Sequence, residues 1–226
     1  LPGVCFIRNE RLRHERLRDQ LELLLDRDLR LVYPTSLSFT QLRDYVSALA
    51  LSDGSVVQPS RLRKITGVSE LTQKKILHAL ESIFIVRQIS VEGDRKGVAL
   101  FFEDQAEQRS IALEEIDLLR SFEGLIYRNL RASFFYSLGL EFRFFQFVAR
   151  PDYRVPFAVR TKEGCLGVIP LLEDRPTRRQ LKAAALFLQN YSPASVLFVT
   201  RGAVETKIIG PRMLQIPAER LLFEES

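Results

Sequence analysis

Few residues in this chain could do chemistry, and most of those are cations. Between Gln58 and Phe102 lie Arg61, Arg63, Lys64, Lys74, Lys75, Arg87, Arg95 and Lys96, against the acids Glu70, Glu81, Glu92 and Asp94. Eight minus four leaves +4, most of the formal net charge of +5. Such a cluster offers phosphate neutralisation, in which every Lys or Arg contact releases counterions and makes affinity fall with salt. The two histidines, His14 and His78, sit on charged helical faces without the cysteines or carboxylates of a ligand set or triad, and read as solvated. Cys5 and Cys165 are too few and too far apart for a disulfide framework or a zinc site. No Gly-x-x-x-x-Gly-Lys-Ser/Thr stretch is present, so nothing supplies the amide cradle and lysine that a nucleotide phosphate needs. The expectation is no catalytic residue, no metal and no cofactor.

The 226 residues are 46% apolar and 27% charged, ordinary for a globular chain, and the length favours two domains. No apolar run reaches the roughly 18 residues of a membrane span, and two distant cysteines make a reducing cytoplasm the expected setting. The start, Leu1-Pro2-Gly3-Val4-Cys5, has neither an initiator Met nor a signal sequence, which suggests a fragment of something longer.

From Asn9 to Val32 the chain reads as an exposed amphipathic helix with Leu12, Leu17, Leu21, Leu24 and Leu25 on its docking stripe. Interleaved Glu and Asp argue against a membrane-surface helix. A second helix begins at a Ser38 cap and buries Phe39, Leu42, Val46 and Leu49. Pro59 opens a short helix ending at Gly67. Ser69 caps the next, whose inward face is Ile76, Leu77, Leu80, Ile83 and Phe84. Val86 to Val91 and Val98 to Phe102 form a hairpin around a polar tip. Helix, short helix, tight turn, longer helix and hairpin is the order of a winged helix-turn-helix.

Beyond Phe102 the pattern gives a long helix over Leu113 to Tyr136, with Leu118, Leu119, Phe122, Ile126, Leu130 and Phe134 apolar. Strands follow at Glu141 to Ala149, Arg154 to Arg160 and Leu166 to Leu172, then a helix at Arg178 to Asn190 facing inward with Leu181, Ala184, Ala185 and Leu188. Ser195 to Thr200 and Glu205 to Ile209 complete a mixed sheet, followed by a short tail helix. The expected fold class is α+β: a helical lead-in over 1–37, a winged helix over 38–104, and an α/β domain over 105–226.

Four stretches resemble the C-terminal half of an uncharacterised group of prokaryotic AAA-type ATPases. They are Leu25-Asp26-Arg27-Asp28-Leu29; Leu62 to Ile85, ending Leu80-Glu81-Ser82-Ile83-Phe84-Ile85; Leu100-Phe101-Phe102-Glu103-Asp104; and Phe122-Glu123 with Ile126 and Leu130. The resemblance implies an ATPase core before Leu1, and a last domain of unknown function with a restriction-endonuclease-like fold. It also places the nuclease positions at Glu123, Pro156, Leu172 and Asp174. Where the family has Val-Asp-Phe-Val, this chain has Val155-Pro156-Phe157-Ala158-Val159. Where the family has Pro-Ile-Glu-Val-Lys, it has Pro170-Leu171-Leu172-Glu173-Asp174. Proline and leucine offer no side-chain oxygen to Mg²⁺, and Asp174 has the wrong charge to replace the lysine. The expectation is a pseudo-nuclease. A remote alternative relocates the ligands to Asp152, Glu163, Glu173 and Asp174, with Lys182 on the following helix.

Two functional readings follow. In the first, the winged helix binds nucleic acid, with DNA the expected partner. Thr72, Gln73, Lys74, Lys75 and His78 line the solvent side of the recognition helix, Arg61, Arg63 and Lys64 touch phosphates, and Arg95 and Lys96 reach out from the wing tip. About six phosphate contacts would cost roughly 10³-fold in affinity between 50 and 200 mM salt. In the second, the segment joins proteins, including copies of itself, through the run Phe142, Phe144, Phe145 and Phe147 with Phe134 and Phe135 nearby. A sheet covered on both faces would account for the same run.

Overall fold

The structure, a computed structural model, describes residues 4, 6–112, 114–138, 141–149, 152–202 and 205–223. It has the expected α+β character, helices followed by a mixed sheet. The chain divides into two compact units. One comprises Leu1–Asp53, Val57–Gln88 and Leu100–Ile116, the other Gly54–Val56, Ile89–Ala99 and Asp117–Ser226. Among the described residues no helix is long and apolar enough to cross a membrane.

The first unit opens with α1 (Glu10–Leu23), a π-helical turn (Leu24–Asp28) and α2 (Leu29–Val32) in one run. Leu17, Leu21, Leu25 and Leu29 are all buried, four residues apart each time. An α-helix turns about 100° per residue, so each four-residue step overshoots by about 40° and would carry Leu29 off the core. The π turn, in which the Leu29 N–H donates to the Leu24 carbonyl, absorbs the surplus residue. Leu12, expected on the stripe, is exposed instead. Leu21, Leu25 and Leu29 share one core with Leu42, Tyr45, Val46, Ile76 and Leu80, so the lead-in is walled into this unit.

Next come α3 (Phe39–Ala50), with Ser38 and Gln41 in a capping box, α4 (Pro59–Thr66) and α5 (Glu70–Ser82). Phe84, expected to face inward, is 70% exposed with φ +59. It ends α5 in a Schellman turn, the Ile85 N–H donating to Leu80 O and the Phe84 N–H to Glu81 O. The hairpin strands are β1 (Val86–Gly93) and β2 (Gly97–Phe102). A helix that the apolar pattern did not suggest, α6 (Gln105–Ile111), follows under an Asp104 cap. Its buried positions are largely polar, Glu107, Gln108 and Ser110, and Gln108 donates to the Ala50 carbonyl.

The second unit contains α7 (Leu118–Leu138), β3 (Arg143–Ala149), β4 (Tyr153–Thr161), β5 (Gly164–Leu171), α8 (Arg178–Asn190), β6 (Ala194–Thr200), β7 (Lys207–Gly210), β8 (Met213–Pro217) and α9 (Ala218–Phe223). The eight-stranded sheet runs β2-β1-β3-β4-β5-β6-β8-β7. β3, β4 and β5 form an antiparallel meander, while β1 joins β3, β6 joins β5, and β8 joins β6 in parallel. Asp117 accepts from the Leu119 and Ser121 amides, which starts α7 later than the apolar pattern suggested and leaves Leu118 exposed; Leu113 lies outside the described residues. The strand expected from Glu205 begins at Lys207, and a further strand, β8, follows it. On α8 the buried face is Ala183, Ala184 and Phe187, with Leu181 and Leu188 only partly covered.

The phenylalanine run is not an exposed patch. Phe144 packs edge-on against Tyr127 of α7 at 5.2 Å, and Phe147 packs against Phe187 of α8 at 5.6 Å. Phe144, Phe145 and Phe147 are buried, as a sheet covered on both faces requires. Only Phe135, beside Tyr136, stands out to solvent.

Candidate nucleic-acid interface

In the first unit α4 and α5 meet through a turn built by three local devices. Pro59 sits in the first turn of α4, where its missing N–H costs nothing. Gly67 ends α4 at φ +71, a left-handed position with nothing within 4 Å of where a Cβ would stand. Ser69 caps α5, accepting from the Thr72 amide at 3.2 Å and lying 2.8 Å from the Thr72 hydroxyl. Thr72 is half-buried and committed to that cap.

Gln73 is the residue the sequence reading misplaced. It is 1% exposed, and its side-chain amide donates to Pro59 O at 3.0 Å and Val68 O at 2.8 Å. The two carbonyls stand at the start of α4 and in the turn before the Ser69 cap, so Gln73 ties both to α5. It clamps the turn and cannot reach a ligand. Buried Tyr45, whose hydroxyl burial pushes above its ordinary pKa, points at the Gln73 carbonyl from α3.

Lys74, Lys75 and His78 are exposed on one side of α5, and Arg61, Arg63 and Lys64 are exposed on α4. The Lys75 ammonium lies 5.9 Å from the Tyr33 ring centroid. None of these six has an ion-pair partner among the described residues. Two exposed apolar residues lie at this turn, Ile65 (63%) and Leu71 (69%). Arg95 and Lys96 belong to the second unit. Both are exposed at the hairpin tip, with Arg95 3.9 Å from Asp152 Oδ1.

The four positions singled out by the resemblance also lie in the second unit. Glu123 on α7 is 2% exposed and accepts a hydrogen bond from Arg154 at the start of β4. Burial pushes its carboxyl up more than the Arg154 charge and hydrogen bond pull it down. Arg154 also donates to Gly54 O at 3.0 Å. Pro156 lies where the β3–β4 register slips between Phe145 and Phe147, a bulge that tolerates its missing N–H. Its carbonyl accepts at 3.1 Å from fully buried Gln146, which also donates to Gly54 O. Leu172 falls just past β5 and is half-buried; Asp174 is exposed, its backbone carbonyl held by Gln215 at 2.8 Å.

The alternative ligand set is not assembled. Glu163 lies at the β4–β5 turn, whereas Asp152, Glu173 and Asp174 lie at the opposite end of those strands. Among the described residues no three His, Cys, Asp or Glu side chains are grouped as a metal would require. Sequence reasoning overlooked Gln146 and Arg154, the two side chains that fill this region. The first is a polar residue inside the phenylalanine run, and the second stands two residues before a mid-strand proline. Residues 1–93 match a family described only as a domain of unknown function (DUF8612). No curated protein matches the chain.

Proposed function

We propose that this chain is a non-catalytic binding segment whose first unit is a winged helix that grips duplex DNA. In this reading the second unit is an endonuclease-like scaffold without nuclease chemistry, and the whole follows an AAA-type ATPase core. The observation that carries it is the exposed, unpaired basic face of α4 and α5: Arg61, Arg63, Lys64, Lys74 and Lys75, with His78 beside them. About five phosphate contacts, each worth about 0.9 in the slope of log affinity against log salt, cost about 500-fold between 50 and 200 mM. Fluorescence anisotropy of a labelled mixed-sequence duplex measures this directly. Affinity that holds across that range, or that survives Lys74→Glu with Lys75→Glu, removes the reading.

Exposed Ile65 and Leu71 favour a second reading, in which the same turn seats a protein. That reading predicts a flat salt titration. For self-association it predicts a molar mass by light scattering that rises with concentration.

A further inference from the structure

We propose that the second unit carries its own surface for a duplex DNA backbone, separate from α5, at the end of the sheet where α8 begins. It extends the DNA reading to residues that reading does not use, and does not require α5 to bind. The strand registers define the place. Gly93 lies beside Val148, Ala149 opposite Tyr153, and Leu171 beside Thr200. The hairpin tip, the start of β4, the ends of β5 and β6 and the first turn of α8 therefore share one end of the sheet.

Direct contacts tie these segments together. Arg179 donates to the Asp152 carbonyl at 2.9 and 3.2 Å and lies 3.6 Å from its Oδ2, while Arg95 approaches Oδ1 at 3.9 Å. Asp152, Tyr153, Arg178 and Arg179 line a recess of about 390 Å³. At the same end of the sheet lie the exposed cations Lys96, Arg175 and Arg201, which like Arg178 have no ion-pair partner among the described residues. The acids near these segments are Asp94, Asp152, Glu173 and Asp174, and two arginines already engage Asp152; further along the same end, Glu205 and Glu219 are matched in number by Lys207 and Arg220.

Arg178 and Arg179 occupy the first turn of a 13-residue helix closed by a Thr177–Gln180 capping box. That end of a helix carries partial positive charge, so acids belong there; Arg179 offsets its misplaced charge through Asp152, and Arg178, with no ion-pair partner among the described residues, does not. A local choice that works against stability marks function when an external partner reverses its sign. A phosphodiester does this, and guanidinium groups match it bidentately where lysine would not.

The test is the same anisotropy titration on the whole chain with Arg178→Glu/Arg179→Glu, Lys74→Glu/Lys75→Glu and wild type. The expected result is weaker binding by the arginine variant on every duplex sequence, with a salt slope smaller by about two. Glutamate suits the helix start, but at position 179 it gives up the Asp152 contacts and sets a second acid beside that side chain, so a thermal melt checks that each variant is folded; Arg178→Gln/Arg179→Gln should show a smaller loss of the same kind. If the arginine variant binds like wild type while the lysine variant fails, the inference falls and the α5 reading stands. If only the arginine variant fails, the inference stands and the α5 reading falls. No binding by wild type overturns both.

Discussion

Replacing Arg154 by methionine isolates the pair that fills the heart of the second unit. Glu123 is 2% exposed and its Oε2 has no hydrogen-bond partner among the described residues, so Arg154, with a smaller contribution from the Arg120 charge, is the main cation that compensates it. Methionine keeps most of the side-chain volume and removes the charge. The carboxylate must then stay ionised in a dry site, at about 3–5 kcal/mol, or take up a proton. Burial already pushes Glu123 above the ordinary carboxylate range, and losing Arg154 pushes it further. In the unfolded chain Glu123 ionises near its usual value. Between that value and the raised folded one the native state holds the extra proton, and stability falls as pH rises, by about 1.4 kcal/mol per pH unit.

Urea unfolding followed by circular dichroism at pH about 5 and about 8 reads this out. The variant should be destabilised by about 3–5 kcal/mol at the higher pH and by clearly less at the lower. Adding Glu123→Gln to Arg154→Met should restore most of the loss, since it removes the stranded charge; Gln146 still serves the Gly54 carbonyl in both. Equal stability of the single variant and wild type at both pH values would mean that Arg154 does not compensate the Glu123 carboxylate. A double variant no better than the single one would mean that Arg154 acts through packing alone.

Glu107 is held up to about 7 by burial and the neighbouring Asp104, so between about 4.5 and 7 stability falls as pH rises. Glu107→Gln should flatten that slope in pH-dependent melts and gain up to about 3 kcal/mol at pH 8. Phe84→Gly should raise the thermal midpoint by the equivalent of about 1 kcal/mol, because glycine relieves the left-handed φ of +59 and Phe84 is 70% exposed. Gly93→Ala should destabilise by more than about 2 kcal/mol and speed amide exchange on β1 and β3: its Cβ would lie 2.5 Å from Val148 O at φ +100.

What the sequence revealed tracks where two independent signals agreed. The bounds of α8 were legible because the Thr177–Gln180 box and an apolar face point to the same helix. α6 was not, because its inward residues are polar and the apolar period is absent. The π turn was hidden as well, since a strict four-residue leucine spacing looks like ordinary amphipathicity until its angular drift is followed. Gln73 was readable and missed: it stands three and four residues before Ile76 and Leu77 and seven before Leu80, on their stripe, and polarity alone sent it outward. Pro156 likewise announced a bulge or an edge, while attention went to its missing ligand oxygen. Glu123–Arg154 and Gln146–Gly54 join residues 31 and 92 positions apart, and no local pattern carries that information.

The hairpin changes how any binding data should be read. Its outer half is part of a sheet: β1 pairs with β3 from Ser90 to Gly93, and the Asp94 amide donates to Val148 O. Glu92 reaches across β3 to Arg160 at 2.9 Å and takes the Tyr191 hydroxyl at 2.9 Å. Burial pushes the Glu92 carboxyl up, but those two hydrogen bonds and the Arg160 charge bring it below its ordinary value, so the anchor stays ionised. Arg160 in turn lies 4.8 Å from the Phe145 ring centroid. A hairpin tied down by a ladder, an ion pair and a cation–π contact does not reach out alone. Arg95 and Lys96 therefore act with Arg178 and Arg179, and their charges should couple to those arginines in a double-mutant cycle.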